Sequence, residues 1–340
     1  MSAPGQPTGV PLVSVLVPTY NSRATLACAL DSIRRQDSTD FEVWVLGDGC
    51  TDGSGEVVDA LKDPRFHWLN RATNSGSSSA GYQEGLRRAR GRYVAYLGHD
   101  DLWFPWHLSS LLKQISGNGA ALVHGLCAIL GPGGAIQVAG PPPGQSASYR
   151  GHFMPPSSWL HERTLPETVG GWRDADVLPH SVDFELLQRI AASGVRISCS
   201  LRLSVLKWPS AWWRTYAADA PQPQLAVAAS LAADPHAVAE RILHDCALAL
   251  SEHTWRDRAR SIRGEWTLAA RHAWAGARLA TRHVVQPDGR PRWPLAPFLR
   301  WRFQRIRRRM RVHRGLDVEL RTQNKEHRLR TKNSEPRTRQ

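Results

Sequence analysis

Four short apolar runs, each followed by a polar turn and then a helical stretch, constrain this chain more than anything else in it. Leu12–Val17 (LVSVLV) reads as a strand buried on both faces, and Glu42–Leu46, Phe66–Leu69 and Tyr93–Leu97 repeat the theme at regular intervals. Between them lie helical patterns. One follows Ser22 with Leu26, Leu30 and Ile33 on one face; a second is Gly53–Leu61; a third is Ser79–Arg90, stopped by Gly91. Parallel strands need such crossovers, so this order predicts a largely parallel sheet with helices on both faces.

Beyond this beat the chain is less regular. Ala120–Val205 is rich in Gly and Pro, with Pro141–Gly144 read as a loop, short strands near Ala121–Val123 and Arg196–Ser200, and a clear helix over Val182–Ala192. From Gln224 the composition turns to Ala and Leu. Asp234-Pro235 reads as a cap and first-turn proline, with helices expected over His236–Leu250, Asp257–Leu279 and Phe298–Val312. After Asn324 the chain is charged and poor in apolar residues, the composition of a disordered tail.

The net charge of +14 is concentrated at one end. Residues 300–340 hold 15 Lys and Arg against 4 Asp and Glu, which leaves +3 for the rest. The expected folded body therefore lacks the basic face of a nucleic-acid binder. The five cysteines form no CxxC pair and no zinc spacing, which fits a reducing compartment. No apolar run approaches the roughly 20 residues of a membrane span, and Met1–Gly9 lacks a signal pattern, so a cytoplasmic location is expected. Leu299, Phe303, Ile306 and Met310 form an apolar stripe among arginines, the pattern of a helix lying on an anionic membrane face or docking on an acidic surface.

In an open parallel sheet, ligands bind beyond the carboxyl ends of the strands. Those ends carry Pro18-Thr19-Tyr20-Asn21, Asp48-Gly49-Cys50-Thr51-Asp52, Asn74-Ser75-Gly76 and Gly98-His99-Asp100-Asp101. All four are turn-forming and rich in hydrogen-bonding groups, and two are acidic, so a ligand rim is expected. No G-x-G-x-x-G follows the first strand, which disfavours a dehydrogenase.

In order and spacing these fragments, over Val13–Trp103, resemble the nucleotide-binding half of family 2 glycosyltransferases. The resemblance implies a GT-A fold, an α/β architecture with a mostly parallel central sheet flanked by helices. It also implies an inverting transfer of sugar from a nucleotide-diphosphate donor to a glycan or lipid-linked acceptor in polysaccharide synthesis. Donor contacts are expected from Pro18, Thr19, Tyr20, Asn21, Asp48, Asn74 and Gly76, with Asp48 accepting from a base N–H or ribose hydroxyl. Asp52 is better read as a helix cap. A divalent cation, Mg²⁺ or Mn²⁺, is expected at Asp100, with Asp101 second and His99 as a further ligand, because carboxylate oxygen suits these ions and the leaving diphosphate needs neutralising. Gly98 departs from the family, standing where its first aspartate would be.

Downstream, Gly170-Gly171-Trp172 followed by Val182-Asp183-Phe184-Glu185 matches the family's base-bearing helix, with Val182 replacing a glutamate. Asp183 is the expected base, with Glu185 as its substitute. Lys207 or Arg214 is a candidate clamp over the diphosphate, and equally a loop charge beside packed indoles. The resulting layout is a flexible N-terminus at 1–10, a nucleotide-sugar-binding half at 11–103 and an acceptor and catalytic half at 104–215. A helical extension at 216–297 and a basic amphipathic helix with its tail at 298–340 complete it. The rival reading is a catalytically degenerate GT-A protein that binds nucleotide or glycan without turnover.

Overall fold

In the computed structural model the described residues are 9–131, 136–139, 149, 152–178, 180–208 and 223–249. The expected Pro141–Gly144 loop, the helices at Asp257–Leu279 and Phe298–Val312, the tail and Arg214 lie outside them.

The first ninety residues follow the alternation written in their sequence. Strands β1 (Val13–Thr19), β2 (Phe41–Gly47), β3 (Phe66–Asn70) and β4 (Tyr93–Tyr96) alternate with helices α1 (Arg23–Arg34), α2 (Ser54–Ala60) and α3 (Ser78–Arg88). Within this half every strand pairing is parallel, in the order β3-β2-β1-β4. Both faces of β1 are buried, which explains its nearly uninterrupted apolar sequence. Val13, Val15 and Val17 pack with Leu26, Leu30 and Ile33 of α1, while Leu16 faces the side covered by α3.

The second half comprises β5 (Leu102–Trp103), α4 (His107–Asn118), β6 (Leu122–Leu130), β7 (Ile136–Ala139), β8 (Trp159–Glu162), α5 (Leu165–Thr168), α6 (Val182–Ala192), β9 (Ile197–Lys207) and α7 (Pro223–Ala233). A further helix occupies 235–249. Here the sheet becomes mixed. Strand β8 inserts antiparallel between β4 and β6, β9 runs parallel to β6, and β5 and β7 pair antiparallel with β9 and β6. The parallel character expected for the sheet thus holds in the first half and gives way beyond β4. Strands β6 and β9 are also longer than their sequence signals, and β5, β7 and β8 have none. Among the described residues no helix is long and apolar enough to cross a membrane.

Ser22 stands at the N-cap of α1, but its hydroxyl donates to the Tyr20 carbonyl instead of capping. The Arg23 amide is met instead by Asp52, which also accepts from the Ser54 amide and hydroxyl at the start of α2. One carboxylate therefore serves the N-termini of two helices, where the backbone leaves donors open.

Three histidines, His107, His124 and His161, are fully buried in the second half. Burial pushes His107 down to about 3 and His124 and His161 down to about 4, from an ordinary value of 6.5. The folded chain therefore keeps them neutral where the unfolded chain binds protons. Their contribution to stability is intact above pH 6.5 and is lost progressively as pH falls toward about 4 and then about 3. We expect urea midpoints to fall between pH 7 and 5, with a slope of up to roughly 4 kcal/mol per pH unit if all three titrate on unfolding. A flat profile across this range would show that these rings accept protons in the folded state.

Candidate functional site

The carboxyl ends of β1 to β4 form a rim whose loops are bonded to one another. Asn21 adopts a left-handed conformation (φ 42°), which its short polar side chain tolerates, and its Oδ1 accepts from the Thr51 amide at 2.8 Å. The Asn74 amide group donates to the Asp48 carbonyl at 2.8 Å, and Asn74 Oδ1 accepts from Gly76 N at 2.7 Å. Pro18 supplies its carbonyl to His99 Nδ1 at 3.2 Å. A carbonyl only accepts, so Nδ1 carries a proton, and in the neutral ring Nε2 keeps its lone pair. Tyr20 is half-buried on this rim. Thr19 is buried, and its hydroxyl has no hydrogen-bond partner among the described residues.

Asp48 is engaged by its own loop. Its oxygens accept from the Ser75 amide at 3.0 Å and the Ser75 hydroxyl at 2.9 Å, and Arg71 pairs with it at 3.3 Å. The carboxylate expected to meet a base or ribose is thus already held by Ser75 and Arg71. Most of its accepting capacity shapes the rim.

The acidic turn after β4 divides its labour. Asp101 is fully buried; its Oδ2 accepts from Ser157 Oγ at 2.5 Å and Lys207 Nζ at 2.9 Å, and its Oδ1 from the Trp208 amide at 3.2 Å. Burial opposes the Lys207 charge, but Asp101 and then Asp100 outweigh it and raise its pKa, so the ammonium persists. Asp101 is thus a structural anchor and not a second metal ligand, and Lys207 is its partner and not a free clamp. Asp100 is half-buried on the same turn. Gly98 is required by this packing, because a Cβ there would lie 2.8 Å from Asp101 Oδ2 and 3.0 Å from Asp100 Oδ1. The two following carboxylates fill the place of the missing side chain.

Among the described residues no three His, Cys, Asp or Glu side chains gather into a metal cage. A hard cation that keeps a substrate's phosphates as ligands needs only one or two protein carboxylates. Asp100 fits that role, with His99 beside it. The Nδ1–H of His99, fixed on a backbone carbonyl, is the arrangement that aims an imidazole at a metal.

Asp183 lies in the first turn of α6, half-exposed, with Oδ1 accepting from the Phe184 amide at 2.9 Å. Glu185, two residues on, is almost wholly enclosed. Arg189 grips both of its oxygens at 2.8 and 2.7 Å, and Arg173 adds a third contact at 3.0 Å. The substitute-base role expected for Glu185 is therefore corrected. Arg189 carries the connection onward to the carbonyls of Val169 and Gly171. Gly170 and Gly171 there take positive φ of 87° and 69°. This charged link holds the Gly-Gly-Trp turn against the helix bearing Asp183.

Helix α3 joins that turn to the rim. Gly85 lets it close over β1 and β2, where a Cβ would sit 2.7 Å from Leu46 Cδ1 and 2.8 Å from Leu16 Cδ2. Tyr82 stacks on Trp172 at 4.4 Å, and the Gln83 side-chain amide donates to the Trp172 carbonyl. Beneath them Tyr96 bonds His161 at 2.9 Å and receives Trp172 Nε1 at 3.4 Å. Tyr82 links the two acidic regions: it meets Tyr96, the last residue of β4 before the Asp100 turn, edge-on, and it shares a buried cluster with Val182, the neighbour of Asp183. Sequence reasoning missed Tyr82, Arg71 and Ser157. Tyr82 alone left a trace, as an aromatic in a helix start otherwise built from Ser, Ala and Gly.

Residues 14–134 match the family model described as Glycosyl transferase family 2. Over 94 residues the chain is 38% identical to the uncharacterized glycosyltransferase EpsJ of Bacillus subtilis (strain 168), covering 27% of each protein. Over 122 residues it is 33% identical to the GalNAc(5)-diNAcBac-PP-undecaprenol beta-1,3-glucosyltransferase of Campylobacter jejuni, covering 35% of this chain and 39% of that one. The matches thus span well under half the length of these relatives. Among solved structures, S. aureus TarS 1-349 in complex with UDP-GlcNAc superposes with a TM-score of 0.50 at 20% identity over 58% of both chains. Its UDP complex does so with the same score at 17% identity over 90% of this chain and 91% of that one. The shared fold is GT-A-like.

The geometry separates two carboxylates that adjoin in sequence. Glu185→Ala should cost about 3–5 kcal/mol, because it strands a buried arginine. Asp183→Asn, at a half-exposed helix start, should change stability by less than about 1 kcal/mol. Urea denaturation of both variants checks this, and equal losses would contradict the division of roles.

Proposed function

Residues 14–134 belonging to glycosyl transferase family 2, we propose that this chain moves a sugar from a nucleoside-diphosphate donor to an acceptor hydroxyl, with inversion at the anomeric carbon. The observation that carries the reading is the packing of the Gly-Gly-Trp turn, fastened by Arg189 to the Asp183 helix, onto helix α3 beside the loops after β1 to β3. TarS, which shares the fold, was crystallised with UDP-GlcNAc, which supports a donor of this class.

In the proposed reaction the acceptor oxygen attacks the anomeric carbon from the face opposite the diphosphate. The bond from carbon to the acceptor oxygen forms, the bond to the phosphate oxygen breaks, and the diphosphate leaves with its electron pair. Asp183 takes the acceptor proton. Its half-exposed carboxylate carries no protein counter-charge among the described residues, which suits it to that task. A divalent cation, Mg²⁺ or Mn²⁺, when bound, supplies neutralisation of the leaving diphosphate, and Asp100 and His99 are the residues that would hold it. Asn21, Asp48, Asn74 and Gly76 keep the donor loops in shape, and Thr19 and Tyr20 line their edge. Lys207 keeps Asp101, and with it the turn, in place.

We extend the proposal to a glycan acceptor carried on a lipid at the cytoplasmic membrane face. Support comes from the Campylobacter relative, named for an undecaprenol-linked acceptor, and from the basic stripe at 298–312.

Asp183→Asn should bind donor as the wild type does and lose transfer by about 10²–10⁴-fold, since it cannot accept the proton. Asp100→Ala should instead lose the stabilisation that donor and Mn²⁺ together give in a thermal-shift assay. Donor titration and single-turnover transfer on the same preparations decide the matter. Donor binding without turnover by the wild-type chain would identify the degenerate binding protein instead, and unaltered transfer by Asp183→Asn would remove the base from this position.

A further inference from the structure

We propose that Tyr82 reads the donor's sugar, its phenolic O–H holding a ring hydroxyl of the transferred sugar between the Asp100 turn and Asp183. This rests on the glycosyl-transfer reading above and assigns a specificity-determining residue within it.

The ring is fixed from several sides. It stacks on Trp172 at 4.4 Å and 31° and meets Tyr96 edge-on at 4.9 Å and 77°. Gln83 secures the same turn through the Trp172 carbonyl. Tyr82 is only 6% exposed. Such a residue normally places its hydroxyl on a protein partner, as Tyr96 does with His161 and Trp172. Among the described residues the Tyr82 hydroxyl has no hydrogen-bond partner. The hydroxyl is not among the enclosed polar atoms that lack a partner, so its tip reaches accessible space, where a ligand can meet it.

The surroundings restrict which ligand group that is. The charges acting on the phenol are those of Asp183, Asp101 and Asp100. Asp101 is neutralised by Lys207, whereas Asp183 has no cation beside it among the described residues. A group placed here must accept from the tyrosine and donate toward a carboxylate. An alcohol does both. A phosphate or carboxylate oxygen can accept from the tyrosine but cannot donate to Asp183. Burial, then the three acids and Tyr96, raises the Tyr82 pKa well above its ordinary value, so it stays a donor at any working pH. The matching group on a nucleotide sugar is a hydroxyl of the hexose ring, poised between the leaving group and the base.

The test is calorimetric titration of the full chain, wild type and Tyr82→Phe, with Mn²⁺ present. Each is titrated with UDP and GDP and with a panel of UDP- and GDP-hexoses. Phenylalanine keeps the stacking on Trp172, so the melting temperature and the affinity for the free nucleoside diphosphate should match the wild type within twofold. Affinity for the preferred nucleotide sugar should fall about 10-fold, the value of one hydrogen bond of this kind, and discrimination between hexose epimers should narrow. Unchanged sugar-nucleotide affinity and epimer preference would overturn the inference. So would equal weakening toward the free nucleoside diphosphate, which would make Tyr82 a nucleotide or packing residue. A wild-type chain that binds none of the nucleotide sugars would instead defeat the glycosyl-transfer reading itself.

Discussion

The buried carboxylate of Asp101 holds together segments that meet nowhere else in the sequence. It receives Ser157 from the turn before β8, Lys207 from the end of β9 and the Trp208 amide just beyond. Without Lys207 a bare charge would sit in an apolar interior, where Leu102, Trp103 and Trp208 are also buried. With it, the acidic turn after β4 is locked to the second half of the sheet. Ser157 adds a further tie, accepting from the Gly98 amide. Asp100 is thereby presented at the rim by a turn whose neighbouring acid is committed to the interior.

A second buried ion pair does the same for the opposite wall. Glu185 and Arg189 lie one helical turn apart, and the guanidinium reaches past its partner to two carbonyls of the Gly-Gly-Trp turn. The turn is thus fastened to α6, and Trp172 beyond it packs on Tyr82 of α3. Asp183 and the donor rim are brought face to face by this chain of contacts, although more than eighty residues separate Asp183 from Asp100. Each of the two short acidic motifs, Asp100-Asp101 and Asp183-x-Glu185, commits one carboxylate to the scaffold and leaves the other at the site.

Much of the first half was legible from pattern alone. The strands after Leu12, Glu42, Phe66 and Tyr93 fall within a residue or two of their apolar runs; β1, β2 and β4 are buried on both faces and so have no polar alternation to blur them. The cap role of Asp52 was also readable, although its reach to Arg23 in another helix was not. The second half was harder. Strands β5, β7 and β8 are two to four residues long and owe their conformation to the strands beside them, so no local period announces them. Gly98 reads in sequence as a lost aspartate; in the fold it makes room for the two carboxylates that follow.

By itself the sequence determined the alternation of strand and helix, the position of the polar turns at one edge of a parallel sheet, and the presence of acids in two of the motifs. These are local properties, set by burial and by the backbone preferences of neighbouring residues. Only the tertiary structure decided which acid of each pair is buried with a cation, that Asp48 is held by Ser75 and Arg71, and that Tyr82 packs between Trp172 and Tyr96. A carboxylate's role depends on the charges and donors around it, and here those come from residues up to 107 positions away, which no spacing rule can see.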